Sequence, residues 1–438
     1  MALSKQQLKD MACAAIDNNR DKIIEIGDAV FLTPELGYKE FKTAARVAKL
    51  FSDLGLSYRE GVAVTGVNAL LKGADSKLRV AVMGELDAVT APSHRAADPV
   101  TGAAHSCGHN AMIAALAGVA YALGTTDIMR HLAGDVALMA VPAEECVEFE
   151  YRKGMIDEGK IQFIGGKQEY IHLGEMDDID IMIMHHNGPE REGGVLGVAG
   201  HTSNGFTAKL YQYIGKASHA GGTPHLGINA LNAANIGITA MNFQRETFQD
   251  KDKVRVHPII TKGGDLVNVV PDDVRIETMI RGLNMDAILD AEMKVDRAME
   301  AGAYAVGAKL NITTLPGYLP IDMCRPLMDV MFANQQQVLG ADKVLYESEP
   351  MAGSTDAGDV SYLMPTLHCR FAGVEGLMHG NDFEISDYDI AYIAPAKCLA
   401  MTVIDLLYNE AATGREIVDT FKPLMTKRQY LQEWGKLQ

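Results

Sequence analysis

Four short, almost uninterrupted apolar runs recur along this chain and limit its fold more than any other feature. They are Arg79-Val-Ala-Val-Met83, Asp135-Val-Ala-Leu-Met-Ala-Val141, Ile179-Asp-Ile-Met-Ile-Met184 and Cys369-Arg-Phe-Ala-Gly373. Runs this short and apolar read as strands covered on both faces, and helical stretches such as Ala111 to Leu123 lie between them. The pattern predicts an α/β fold on a mostly parallel sheet. Ahead of it, Ser4 with Gln7 forms a capping-box signature for a long first helix, and Phe41 to Leu54 keeps helical spacing until Gly55.

The periodicity changes at Gly205. Residues 205–214 alternate like a half-exposed strand, Leu226 to Arg245 is helical, and Val254 to Thr261 and Asp273 to Arg281 are strand-like. Asn284 to Ala308 is helical again, and Leu310 to Thr314 closes the set. This βαββαβ order predicts a ferredoxin-like domain inserted into the larger one, with Pro316-Gly317 marking the return. The expected division is 1–204 with 317–438 as one domain and 205–316 as the insert. A chain of 438 residues with 47% hydrophobic side chains has enough apolar material for two cores.

Composition narrows the partners. With 40 Lys+Arg against 57 Asp+Glu, the net charge of −17 disfavours both nucleic acid and an anionic membrane surface. Six cysteines are too sparse for a disulfide framework and point to a reducing compartment. The N-terminal residues offer no apolar signal-peptide core, and no segment sustains the roughly 18 apolar residues of a membrane span. A cytoplasmic address is expected.

Each apolar run ends in potential metal ligands. Glu85 and Asp87 follow the first, Glu144 and Glu145 the second, His185 and His186 the third, and His379 comes after the fourth. His105, Cys107 and His109 occupy the loop before a helix. Taken singly, Cys107 reads as a small buried residue and Glu144-Glu145 as a solvated pair. In open parallel sheets, however, ligands bind outside the carboxyl ends of the strands, so these clusters should converge. Thiolate, imidazole and carboxylate together describe a site for zinc, manganese or a similar divalent ion.

These residues resemble a known family, the dinuclear metallopeptidases and amidohydrolases that include carboxypeptidase G, the aminoacylases, the indole-acetyl-amino-acid hydrolases and the aminobenzoyl-glutamate hydrolases. The resemblance is carried by His105-Ser-Cys-Gly-His-Asn110, Val141-Pro-Ala-Glu-Glu145, Lys216-Ala-Ser-His-Ala-Gly221 with Pro224-His-Leu-Gly-Ile-Asn-Ala230, Val267-Asn-Val-Val-Pro271 and Arg281. It implies two divalent metal ions per chain, zinc or manganese, with Cys107 bridging them, Glu145 and His379 on one side and His109 and His185 on the other. It implies Glu144 as general acid/base, His219 as an oxyanion-stabilising group that often works in a partner subunit, and Asn268 with Arg281 as holders of a substrate carboxylate. Asp87 would orient His109. The insert would then be a lid and dimerisation domain, and the protein a homodimer or larger homo-oligomer.

Asn110 and Gly84-Glu-Leu-Asp87 depart from the commonest family pattern and resemble the aminobenzoyl-glutamate branch. Residues 146–178 form an unexpectedly long connection beside the metal ligands. The loop Gly353-Ser-Thr-Asp-Ala-Gly-Asp359 lacks the lysine of a phosphate-binding loop, and Ser354 or Asp356 is a potential substrate contact. The implied activity is hydrolysis of the C–N bond of a small N-acyl or aminobenzoyl amino acid by a metal-bound hydroxide, with Glu144 moving protons. Two rivals are an aminohydrolase that releases ammonia and a metal-binding regulatory homologue without activity; the complete set of ligand residues argues against the second.

Overall fold

The computed structural model describes residues 3–434. Its main sheet has eight strands in the order Tyr58–Val62, Gly66–Leu71, Asp135–Val141, Arg79–Glu85, Ile181–Asn187, Thr366–Phe371, Gly197–Gly200 and Val344–Glu347. The central four run parallel, as the apolar runs predict, while Tyr58–Val62 and Gly66–Leu71 add an antiparallel hairpin at one edge. Strand bounds differ from the sequence reading mainly at the third and fourth runs, where the strands are Ile181–Asn187 and Thr366–Phe371.

Both sheet faces are covered. Val80, Val82, Ile181, Ile183, Leu367 and Cys369 face one core with the helices His109–Gly124 and Ala394–Thr420. Ala81, Met83, Met182 and Met184 face the other, together with Phe163 and Tyr170 of the 146–178 connection and Tyr430 and Trp434 from the C-terminal helix. Full burial of each large aliphatic side chain here contributes roughly 1.5–3 kcal/mol. The alternation of the two sets along each strand is the period-2 pleat, and it sends neighbouring side chains of one strand to opposite faces of the sheet.

The expected long first helix is two helices, Lys5–Asn18 and Arg20–Phe31, broken at Asn19; the Ser4–Gln7 capping box holds the start of the first. Among the described residues, Asp389–Thr420 is apolar and long enough to cross a membrane by composition, but 89% of its most apolar window is buried in the protein.

Between Gly205 and Leu315 the chain builds a separate four-stranded antiparallel sheet, ordered Arg255–Lys262, Asp273–Gly282, Gly205–Ile214, Lys309–Leu315. The helices Ala230–Phe243 and Met285–Val306 pack on it around Tyr213, Ala233, Ile276, Val295 and Met299. The two chain crossings run side by side: Phe206 N donates to Tyr318 O at 2.8 Å. A Cβ on Gly317 would stand 2.1 Å from Phe206 O, so only glycine permits this approach.

Candidate metal centre and active site

The carboxyl ends of the central strands bring the ligand residues together. Gly108 takes a left-handed conformation (φ 90°) between Cys107 and His109, at the start of the helix His109–Gly124. Ala143 (φ 55°) and His379 (φ 61°) also have positive φ without being glycines, a strain that collects at functional sites.

Two sets of donor atoms meet at Cys107. Its Sγ lies 3.3 Å from His379 Nε2, and His379 Nε2 lies 3.0 Å from Glu145 Oε1. On the other side Cys107 Sγ lies 3.5 Å from His186 Nε2, and His109 joins that set. Within each set, Cys107–Glu145–His379 and Cys107–His109–His186, the donor atoms lie within 4.8 Å of one another. Glu85, His109 and Glu144 form a third such set: His109 Nε2 is 3.0 Å from Glu85 Oε2 and 3.8 Å from Glu144 Oε2. His109 Nε2, Glu145 Oε1 and Glu85 Oε2 are buried and make no hydrogen bond. Buried polar atoms without a well-formed hydrogen bond are rare, and soft and hard donors converging on two points fit a pair of late divalent ions.

His185 is not part of this cluster. Along Ile181–Asn187, Ile181 and Ile183 face one core and Met182 and Met184 the other, so His185 points with the isoleucines and His186 with the methionines. His185 is fully buried against Phe371, with ring centroids 5.8 Å apart and no hydrogen bond to either ring nitrogen. Burial lowers its pKa to about 3, so it is neutral. The structure thus places His186, rather than the expected His185, with the donor cluster.

Asp87 lies beside His109. His109 Nδ1 lies 2.9 Å from Asp87 O and 3.3 Å from Asp87 Oδ1, and Asp87 Oδ2 accepts from Glu145 N at 2.8 Å. Asp87 thus holds the imidazole through its backbone carbonyl and the neighbouring backbone turn through its carboxylate. Tyr318 donates to Glu144 O at 2.6 Å, and the buried Arg152 donates to Glu145 O, which locks the Glu144-Glu145 turn.

The charges are strongly perturbed. Burial first, then the Glu85 and Glu145 carboxylates, hold the Glu144 carboxyl well above its ordinary range. Burial also works against ionised Glu145, but the adjacent His379 outweighs it and brings Glu145 down to about 2. Glu145 and Cys107 in turn raise His379 to about 11. His186 is lowered to about 4 by burial and by His109.

The 146–178 connection contributes a residue that the sequence did not single out. Lys167, on the helix Gly166–Leu173, is fully buried; its Nζ is 2.6 Å from Glu85 Oε1 and 2.5 Å from Asp356 Oδ1. Glu85 is thereby an ion-paired carboxylate, and Asp356 holds Lys167 rather than facing substrate.

A cavity of about 320 Å³ opens over Cys107, Glu144, Glu145, His186 and His379. Arg281 lines it from the inserted domain, donating to Ser354 Oγ at 3.0 Å and stacking over Phe206. His219 and Asn268 do not line it. Both are exposed on the inserted domain, side by side: Ala220 N donates to Asn268 O at 2.9 Å, and His219 Nδ1 accepts from the Gly221 and Gly222 amides.

A parallel sheet carrying this donor set at its carboxyl end defines a metal-dependent hydrolase. The chain belongs to peptidase family M20/M25/M40, whose sequence pattern matches residues 81–399. It is 28% identical to the Xaa-Arg dipeptidase of Mus musculus over 435 residues, covering 94% of this chain and 91% of that protein. It is 26% identical over 362 residues to the N-acetyl-L-cysteine deacetylase of Bacillus subtilis, covering 78% of this chain and 78% of that one. The fold matches a Bacillus subtilis structure described as a dinuclear metal-binding peptidase of the M20 family, with a TM-score of 0.65 at 19% identity, covering 89% of this chain and 99% of that one.

Proposed function

We propose that this hydrolase cleaves the C–N amide bond of a small N-acyl or aminobenzoyl amino acid. The observation that carries the reading is the shared Cys107: two donor sets meet on one sulfur, with Glu144 beside them. In this reading Cys107, His109, Glu145, His186 and His379 hold two divalent ions, zinc or manganese, and such ions supply the positive charge that acidifies a water near neutral pH.

Glu144 is the general acid/base. Its raised pKa suits a group that takes a proton from water and returns it to the departing amine. Asp87 keeps His109 in one orientation throughout, and the buried wall around Glu144 limits competing water. Arg281 receives the substrate carboxylate, for which a guanidinium offers paired donors. Residues 205–316 act as lid and dimerisation domain, and exposed His219 and Asn268 complete the cavity of a partner subunit, His219 stabilising the oxyanion. A cytoplasmic setting suits six free cysteines. The names of the mouse and Bacillus subtilis relatives, a dipeptidase and an N-acetyl-amino-acid deacetylase, support amide cleavage beside an amino-acid carboxylate.

The test is a release assay with Mn²⁺- or Zn²⁺-loaded protein over acyl-, aminobenzoyl- and dipeptide substrates, scored for amine and for ammonia. Equimolar acid and amino acid are expected. Ammonia without a second organic fragment would establish an aminohydrolase instead, and a fully metal-loaded protein that cleaves no amide would make the chain an inactive homologue.

A further inference from the structure

The turn that carries Glu144 and Glu145 is held from a distant part of the chain by a carboxylate outside the donor cluster. Ala143 opens the turn with φ 55°, a left-handed conformation that a residue with a Cβ keeps only under constraint. Its amide donates to Glu40 Oε1 at 2.8 Å, and Thr65 Oγ1 donates to Glu40 Oε2 at 2.7 Å. Glu40 is fully buried, and these two bonds give each of its oxygens a partner. Its backbone is fixed at the start of the helix Phe41–Asp53, where Ala44 N donates to Glu40 O at 2.8 Å.

The space around the turn is equally restricted. A Cβ on Gly37 would stand 3.0 Å from Ala143 Cα, and one on Gly166 would stand 1.8 Å from Pro142 O. Gly166 N also donates to Ala143 O at 3.3 Å. Asp87 and Tyr318 pin the turn after Ala143, at Glu145 N and Glu144 O. Ahead of them the Ala143 amide has Glu40 alone, and without that acceptor a buried N–H would stand unpaired in a strained residue. Rotation of residue 143 to an ordinary conformation would satisfy the amide elsewhere and turn Glu144 and Glu145 away from His109 and His379, now 3.8 Å and 3.0 Å from them.

We infer that Glu40 is a positioning residue, whose side-chain oxygen keeps Ala143 left-handed and thereby aims Glu144 and Glu145 at the donor cluster. This rests on the amide-hydrolase reading, in which Glu144 moves the protons, and adds to it a residue from the first hundred positions. An oxygen acceptor is what the turn requires, so glutamine should replace Glu40 where leucine does not. Glycine at position 143 adopts positive φ without a Cβ and should need the holder less.

The test compares Glu40→Leu, Glu40→Gln and the double variant Glu40→Leu/Ala143→Gly at matched metal content. Glu40→Leu should lose about 100-fold in kcat, the scale of a misplaced catalytic group, with KM changed less than about threefold. Glu40→Gln should stay within about threefold of wild type, and the double variant should regain at least about tenfold. Thr65→Val, which frees the carboxylate that Glu40 uses to hold the turn, should lose about three- to tenfold in kcat and decides the matter if Glu40→Leu does not fold. Co²⁺-loaded protein gives a readout without turnover: displacement of Glu145 in Glu40→Leu should shift the visible absorption bands, and Glu40→Gln should return them. That pattern upholds the inference even where no amide is cleaved, and the amide reading then fails alone. Wild-type kcat in folded Glu40→Leu or Thr65→Val, equal losses in Glu40→Leu and Glu40→Gln, a loss that glycine at 143 does not relieve, or identical Co²⁺ bands throughout a protein that cleaves no amide overturns it.

Discussion

Lys167 Nζ lies 2.6 Å from Glu85 Oε1, joining the connection after the Glu144-Glu145 turn to the end of a central strand in a site with no exposure to water. With Asp356 on its other side, the ammonium is shared by two buried carboxylates. Lys167→Met strips both of their cation. Breaking a buried ion pair from one side costs about 3–5 kcal/mol, so the variant should unfold at markedly lower urea concentration, whereas Lys49→Met, at an exposed pair, should not move the midpoint measurably. Equal midpoints for the two variants would show that Lys167 carries no such burden.

His186, the proposed ligand, and His185 should separate metal binding from packing. His186→Ala should lower metal affinity by at least about 100-fold, since even partners of ligands cost 10–100-fold. His185→Ala should keep its metal and lose ~1–3 kcal/mol of stability. Metal content after dialysis and thermal unfolding of both variants decide it; loss of metal in His185→Ala alone would return the ligand role to His185.

Glu144→Ala should keep its metal and lose about 10² to 10⁴ in kcat. His219→Ala should also be slow. If His219 serves a partner's cavity, mixing the two inactive variants after dissociation should restore activity, up to about a quarter of wild type in a statistical mixture of dimers with one intact site in half of them. No recovery in verified mixed dimers would place His219 in its own chain's site.

Metal uptake should release protons. His379 beside Glu145 keeps its proton up to about 11, against about 6.5 for a free imidazole. Glu145 stays ionised down to about 2, against about 4.3. In the metal-free protein this pair therefore stabilises the fold fully between about pH 4.3 and 6.5, and its help fades as pH falls towards 2 or rises through 11. A metal ion must displace the His379 proton, so apparent affinity should rise with pH across the neutral range. Calorimetric titrations in buffers of different ionisation enthalpy measure the release; heats independent of buffer would contradict it.

Much of this is legible in the sequence. The four apolar runs mark the central strands because a strand buried on both faces leaves no room for polar residues. The change to alternation at Gly205 marks the second sheet because one face of an antiparallel sheet carries its helices and the other meets solvent. Asp87, Glu144 and Glu145 stand out because they end strands at the rim where ligands bind. The choice between His185 and His186 is present in the sequence too: counting by twos from Ile181 and Ile183 separates them, but only once it is known which face leads to Cys107.

The amino-acid order alone determined the layering of the larger sheet, the βαββαβ insert and the chemical character of the rim, since these follow from local periodicity and from residue types next to strand ends. Tertiary structure decided the rest. Lys167 and Asp356 are 189 positions apart, and Glu40 and Ala143 are 103 apart, so no short-range pattern pairs them. Whether a buried charge or amide finds its partner depends on which distant segments fold against it, and that is a property of the assembled chain.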